Sequence, residues 1–374
     1  KDEKDSTVVE HRLTTDGERK FSYGYTTYDP YATDEEIDKR SGTGIVWSPD
    51  SKHFALVRRD NRKLKDMWVI NSLAQPRPKL ETYLYQMPGE EGSTARLYLF
   101  DFEAKTSRVI KAGAFKNQTI DIQSKTGTNA MRYDKPYKHI WMGDENTFYF
   151  TRTSRDLKRI DLCAVNVDED SCRTVVAEKM NTYIETREPR FINGGKELLH
   201  WSERNGWAHI YRYDTDGRLI NAVTSGEFHV EDIIGTDDKT RTVFFTANGR
   251  ESGNPYYTYV YSVRYDGSDL KLLCDGDLEH KVSIADDARF FVDNFSRVDT
   301  IPASVLRNGR GQKIMTLETA DFSQLLKTGY KFPERFTVKA GDGVTDLYGV
   351  MYKPFDFDST LCYPCLLYTS DAAE

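Results

Sequence analysis

Ile45-Val46-Trp47-Ser48-Pro49-Asp50-Ser51-Lys52-His53-Phe54-Ala55-Leu56-Val57 reads as a short apolar strand, a polar turn and a second apolar strand. The same phrase returns at 139–152, 188–202, 232–247 and 281–295, and Leu13-Thr14-Thr15-Asp16-Gly17 is a fainter sixth copy. The copies recur about every 45–50 residues, except where an insertion over roughly 113–137 separates the first two full ones. A repeat at this pitch implies stacked supersecondary units, because one such unit cannot bury both of its faces.

The unit beginning at Glu188 resolves into four predicted strands, 188–192, 197–202, 209–214 and 219–224. Asn193-Gly194-Gly195 and Asp214-Thr215-Asp216-Gly217 supply the tight turns that hairpins need. Four antiparallel strands per unit make the blade of a β-propeller. The fold class expected is therefore all-β, with about five whole blades at 44–112, 138–178, 187–226, 229–277 and 280–317. Residues 1–43 are expected to end an earlier, partial blade. The pattern breaks near Ala320, where 321–328 reads as a short helix. A hairpin of another domain follows, with strands from Phe332 to Val338 and from Asp346 to Lys353 around an Asp342-Gly343 turn. The domain reading is a partial propeller over 1–319, a linker over 320–331 and the start of a second domain over 332–364. Residues 365–374 resemble a translated adapter and are expected to be a non-native tail, on a chain expected to be a fragment.

Composition agrees. The 374 residues include 23 Tyr and 19 Phe but no run near the roughly 18 apolar residues of a membrane span. A net charge of −7 with interspersed signs and no basic stripe argues against nucleic acid as a partner. The seven histidines include no pair at zinc-ligand spacing, so no metal is expected. Asp214–Gly217 starts like a calcium loop but lacks the downstream Glu, which leaves a hairpin turn. No phosphate loop and no Gly-x-Ser-x-Gly nucleophile elbow occurs, so neither a cofactor nor a complete catalytic set is expected. Trp47, Trp141, Trp201 and Trp207 fall at strands or strand ends, as packing between blades requires.

Two constellations remain. Among five cysteines, Cys163 and Cys172 flank an acidic turn and could face each other across a hairpin, either as a disulfide or as two half-buried thiols. A disulfide would imply an oxidising compartment. Asp34-Glu35-Glu36 precedes the Trp47 strand; it reads as a solvated turn, or as paired carboxylates for a primary ammonium ion.

Four motifs carry a family resemblance. They are Trp47-Ser48-Pro49-Asp50; Tyr83-Leu84-Tyr85-Gln86-Met87-Pro88-Gly89-Glu90; Glu188-Pro189-Arg190-Phe191 with the later Trp201-Ser202-Glu203-Arg204-Asn205-Gly206-Trp207; and Leu347-Tyr348-Gly349-Val350-Met351-Tyr352-Lys353-Pro354 with Tyr363-Pro364. From Trp47 to Pro364 the chain resembles the dipeptidyl peptidase IV branch of the prolyl oligopeptidase family. The resemblance implies a serine exopeptidase that cleaves short units from peptide N-termini, usually after Pro or Ala. It implies that 332–364 begins an α/β-hydrolase domain, and that the Ser, His and Asp of the triad lie outside this chain. A tyrosine that donates to the oxyanion would follow Tyr363-Pro364, where this chain has Ser370. It assigns the substrate-amine anchor to Glu35 and Glu36, although the family's surrounding Asp-Trp-aromatic pattern is replaced by Asp29-Pro30-Tyr31-Ala32-Thr33-Asp34. It also implies a disulfide at Cys163 and Cys172, a peptide as partner, a homodimeric parent, and a periplasmic or secreted location. The competing reading is a non-catalytic propeller scaffold of the Tol-type periplasmic kind; a continuation into hydrolase-like strands separates the two.

Overall fold

The structure, a computed structural model, describes residues 11–23, 43–126, 139–185 and 187–365. It divides into two compact units, 1–224 and 225–374.

In the first unit, β1 (Phe21–Ser22), β2 (Val46–Trp47), β3 (His53–Asp60), β4 (Lys65–Asn71), β5 (Lys79–Tyr85), β6 (Thr94–Asp101) and β7 (Thr106–Ile110) form the first blade and its attachments. The blade is β2-β3-β6-β7, with β1 antiparallel to the end of β3. Among the described residues the hairpin β4–β5 pairs only with itself. The Ser48-Pro49-Asp50-Ser51 turn between β2 and β3 is closed by its own side chains: Ser48 Oγ donates to Asp50 Oδ1 at 2.6 Å and accepts from His53 N at 2.9 Å. The sequence phrase is thus a self-contained turn chemistry, which explains why it recurs.

The second blade departs from expectation. Its innermost strand is β8 (Thr119–Ile122), drawn from the insertion, followed by β11 (Thr147–Thr153), β12 (Arg159–Asn166) and β13 (Arg173–Lys179). The segment read as its first strand is instead β10 (His139–Trp141). It pairs antiparallel with β9 (Ser124–Thr126) and parallel with β2 of the first blade, Ile140 opposite Trp47. The third blade, β14 (Arg190–Ile192), β15 (Glu197–Ser202), β16 (His209–Asp214) and β17 (Leu219–Ala222), follows the predicted strands closely. Gly217 has φ +94 in the Asp214–Gly217 turn, and a Cβ there would collide with the Val175 carbonyl of the preceding blade. Asp214 Oδ1 accepts from Arg218 N at 2.8 Å, so this run is a hairpin turn.

Packing between blades follows strand alternation. Phe148 and Phe150 of β11 join Ala55, Leu97 and Leu99 of the first blade, and Trp141 stacks on Phe148 with ring centroids 4.9 Å apart. Tyr149, between them, points the other way, into a cluster with Leu198, Tyr211 and Tyr213 of the third blade. Each fully buried aromatic here stabilises the stack by about 1.5–3 kcal/mol. Trp141 and Trp201 are buried as expected, but Trp207 is 42% exposed.

The second unit holds two further four-stranded blades. One is β18 (His229–Asp237), β19 (Thr242–Asn248), β20 (Tyr259–Arg264) and β21 (Lys271–Leu272); the other is β22 (Glu279–Ile284), β23 (Phe290–Ser296), β24 (Ala303–Asn308) and β25 (Lys313–Thr319). A short helix, α1 (Ser323–Lys327), precedes the antiparallel hairpin β26 (Glu334–Lys339) and β27 (Asp346–Met351). Five β-propeller blades, then a separate hairpin, match the architecture read from the repeats.

Candidate functional site

The strongest candidate is a cavity of about 590 Å³ in the first unit, lined in part by Ser22, Tyr23, Gly44, Arg59, Gln86 and Asp121. Glu35 and Glu36 lie outside the described residues. Tyr23, which precedes 24–42, and Gly44, two residues after it, both line this cavity.

One wall is braced by Arg58, which is wholly buried on β3. Alternation along β3 turns its side chain toward β1. Its Nη1 donates to Asp16 Oδ2 at 2.7 Å and to Tyr23 OH at 3.0 Å; its Nη2 donates to the carbonyls of Asp16 at 2.6 Å and Phe21 at 3.0 Å. The guanidinium carbon lies 3.3 Å from the Phe21 ring centroid and 4.0 Å from that of Tyr23, so the rings also hold the charge. The hydrogen bonds from Arg58 lower the Asp16 pKa. Burial, together with donation to Asp16 Oδ1 at 3.0 Å, pushes the Tyr23 phenol up to about 12. Tyr23 therefore stays protonated and is held rigidly beside the cavity.

The two predicted cysteines are brought together. Cys163 on β12 opposes Thr174, and Cys172 lies two residues earlier, diagonally across the strands. Both are thiols in this structure. Cys172 Sγ donates to the Lys111 carbonyl at 3.6 Å and lies 3.8 Å from Arg152 Nη1. The Cys163 thiol beside it, aided by Arg152 against the cost of burial, lowers Cys172 to about 7; the same contact and burial raise Cys163. Arg152 is itself paired with Asp161 at 2.7 Å.

A third cluster was not anticipated. Glu178, near the end of β13, is buried against His200 of the third blade, with Nε2 to Oε1 at 3.3 Å, and pairs with Arg204. Arg204 Nη1 also donates to Tyr213 OH at 2.5 Å. Burial favours the neutral acid, but His200 and Arg204 outweigh it and hold Glu178 at about 2. Its charges come from two blades, so no local motif announces it. It locks the two blades together.

Comparison with known proteins follows this geometry. The family model described as "Dipeptidyl peptidase IV (DPP IV) N-terminal region" matches residues 2–302. Dipeptidyl peptidase 4 of Trichophyton rubrum is 39% identical over 75 residues, which is 20% of this chain and 9% of that protein. "Probable dipeptidyl-aminopeptidase B" of Neosartorya fischeri is 24% identical over 395 residues, covering 97% of this chain and 40% of that protein. The crystal structure of Porphyromonas gingivalis dipeptidyl peptidase 4 superposes with a TM-score of 0.73 at 21% identity, over 95% of this chain and 48% of that one. The chain spans less than half the length of each.

Proposed function

Since the chain belongs to the family of dipeptidyl peptidase IV N-terminal regions, we propose that it is the propeller portion of a serine exopeptidase. The enzyme removes short units from peptide N-termini with Pro or Ala at the penultimate position, and the blades limit access to a triad carried elsewhere. The observation that carries this reading is the hairpin β26–β27, which continues past the last blade and is ion-paired to it through Arg335. A propeller that served only as a scaffold has no use for such a continuation.

Glu35 and Glu36 are the amine anchor in this reading. Paired carboxylates make charge-assisted hydrogen bonds to a primary ammonium ion. Cys163 and Cys172 form a disulfide under oxidising conditions, in keeping with a secreted or periplasmic protein. Among the described residues no helix is long and apolar enough to cross a membrane. The enzyme pairs with a second copy of itself through the projecting hairpin β4–β5, whose Trp68, Ile70, Leu73 and Leu80 are exposed.

The deciding experiment uses the complete enzyme that carries this chain. Glu35→Ala with Glu36→Ala is expected to raise KM and lower kcat on free-amine Xaa-Pro substrates by more than tenfold, with little change on amine-blocked ones. Equal kinetics before and after the double substitution would remove the anchor assignment.

A further inference from the structure

The end of β3 forms one wall of the cavity of about 590 Å³ in the first unit. Strand alternation sorts the side chains of β3 onto two faces. Phe54, Leu56 and Arg58 face one way, toward Tyr98, Phe100 and β1. Ala55 and Val57 face the core shared with the second blade, and Arg59 and Asn61 continue that face along the cavity. Arg59 stands opposite Ser22 on β1 and Ala95 on β6. Both neighbours are small, so the sheet leaves its guanidinium open. Among the described residues Arg59 makes no ion pair and no side-chain hydrogen bond. Two carboxylates adjoin it, and neither answers its charge. Asp60 lies on the other face of β3, where Arg62 holds its two oxygens at 2.9 and 2.6 Å. Asp121 on β8 sits between Ile120 and Ile122, which pack toward the first blade, so its side chain turns the other way.

Asn61 is an independent observation. It is 4% exposed and lines the same cavity. Its backbone is satisfied: N donates to the Lys20 carbonyl at 2.8 Å, and its carbonyl accepts from Leu64 N at 3.0 Å. Its carboxamide makes no hydrogen bond among the described residues. A buried amide without a partner is uncommon. Nor is the amide sealed off. Among the described residues, the side-chain atoms that are both sealed and unpartnered belong to His53, Arg58, His200, Asp277 and His280. The Asn61 amide therefore opens onto the cavity. At the rim, Gln86 Oε1 accepts from Ser93 N at 3.0 Å, which leaves the Nε2 donors unused.

We infer that this cavity binds the carboxylate of an organic ligand, with Arg59 as the cationic fork and Asn61 Nδ2 as a further donor. A planar guanidinium matches the two oxygens of a carboxylate and balances its single charge. Val57, Leu64, Leu84, Ile120 and Ile122 line much of the rest. Such walls suit an apolar stem, and they disfavour phosphate, whose second charge would go unpaired beside them. Apolar walls with a few placed polar groups are the usual makeup of a small-ligand site. The carboxylate can come from an aspartate or glutamate side chain or from a peptide C-terminus. The inference stands on the cavity and does not depend on the peptidase reading or on Glu35 and Glu36.

The test labels the arginines of the 374-residue chain with ¹⁵N and assigns the Arg59 Nε–H resonance by its loss in Arg59→Gln. The chain is titrated with pentanoate, pentanamide, N-acetyl-glutamic acid α-amide, N-acetyl-alanine and inorganic phosphate. A saturable shift of the Arg59 resonance is expected with the carboxylates and not with pentanamide, and phosphate should bind about tenfold more weakly. The tighter of the glutamic acid derivative and N-acetyl-alanine identifies the source as a side chain or a C-terminus. By calorimetry, Arg59→Gln should weaken pentanoate binding at least tenfold and Asn61→Leu severalfold. Arg59 is exposed and unpaired among the described residues, so its variant should keep the melting temperature of the parent. If Asn61→Leu fails to fold, Arg59→Gln carries the test alone. No saturable shift with any carboxylate, an equal response to pentanamide, tighter binding of phosphate, or full affinity in Arg59→Gln would overturn the inference.

Discussion

Arg335 on β26 places Nη1 2.9 Å from Asp277 Oδ2 and Nε 3.2 Å from Asp299 Oδ2, the two carboxylates that Arg297 of the last blade also grips at 3.0 and 2.5 Å. Two guanidinium forks share two carboxylates, so the hairpin and the blade are tied at one point. Tyr348 OH adds a bond to the Gly253 carbonyl at 3.0 Å. Because Arg335 is about a third exposed, solvent screening keeps its contribution near 0.5–1 kcal/mol. Arg335→Ala is therefore expected to leave the melting temperature within a few degrees. It should speed amide exchange across 334–351 severalfold, as measured by mass spectrometry; unchanged protection there would show that the tie is idle.

Glu178 predicts an acid limb. Its carboxyl titrates near 2 in the fold, below its ordinary value of 4.5, so between those values the unfolded chain binds the extra proton. Its stabilisation is complete above about pH 4.5 and lost as pH falls toward 2. At 1.36 kcal/mol per unit the ceiling is about 3 kcal/mol. Urea unfolding of the parent and of Glu178→Gln should differ most at pH 6 and converge as pH drops below 4. A gap that stays constant with pH would refute this account.

The thiol pair predicts ordered reactivity. Cys172, half-buried and lowered to about 7, should alkylate ahead of the buried Cys163 and Cys274, with a rate half-maximal near pH 7. Cys163→Ala removes the donor that lowers it, so the profile should move toward the ordinary thiol range. Mild oxidation of the parent should couple 163 to 172, visible by peptide mapping. Preferential labelling of Cys163 would contradict the geometry.

The projecting hairpin predicts association. Trp68→Glu with Leu73→Glu is expected to turn a dimer into a monomer in light scattering of the complete protein, with the blades unaffected because, among the described residues, β4 and β5 pair only with each other. A dimer that survives both changes places the interface elsewhere.

Where local chemistry decides structure, it was legible. The turns at Asn193-Gly194-Gly195 and Asp214–Gly217 place the strands of the third blade within a residue or two. The exchange of β8 for β10 was not, because Thr119–Ile122 and His139–Trp141 both look like innermost strands and only distant partners choose between them. The same holds for sites. Cys163 and Cys172 are near in sequence and meet across a hairpin. The Glu178 and Arg58 clusters join residues from different strands or blades, and no spacing rule reaches them.

The parallel contact of Ile140 with Trp47 alters how the repeats fold. Stacked repeats ordinarily melt piecemeal, because each touches only its neighbours through side chains. Here a backbone ladder crosses from the chain beyond the insertion into the first blade, while β8, from before that crossing, seeds the second. The second blade closes with its own strands β8, β11, β12 and β13, whereas β10 joins the sheet of the first only after the chain has passed β8. The first sheet therefore has a non-local closing step that ordinary stacked repeats lack, supplied by β9 and β10.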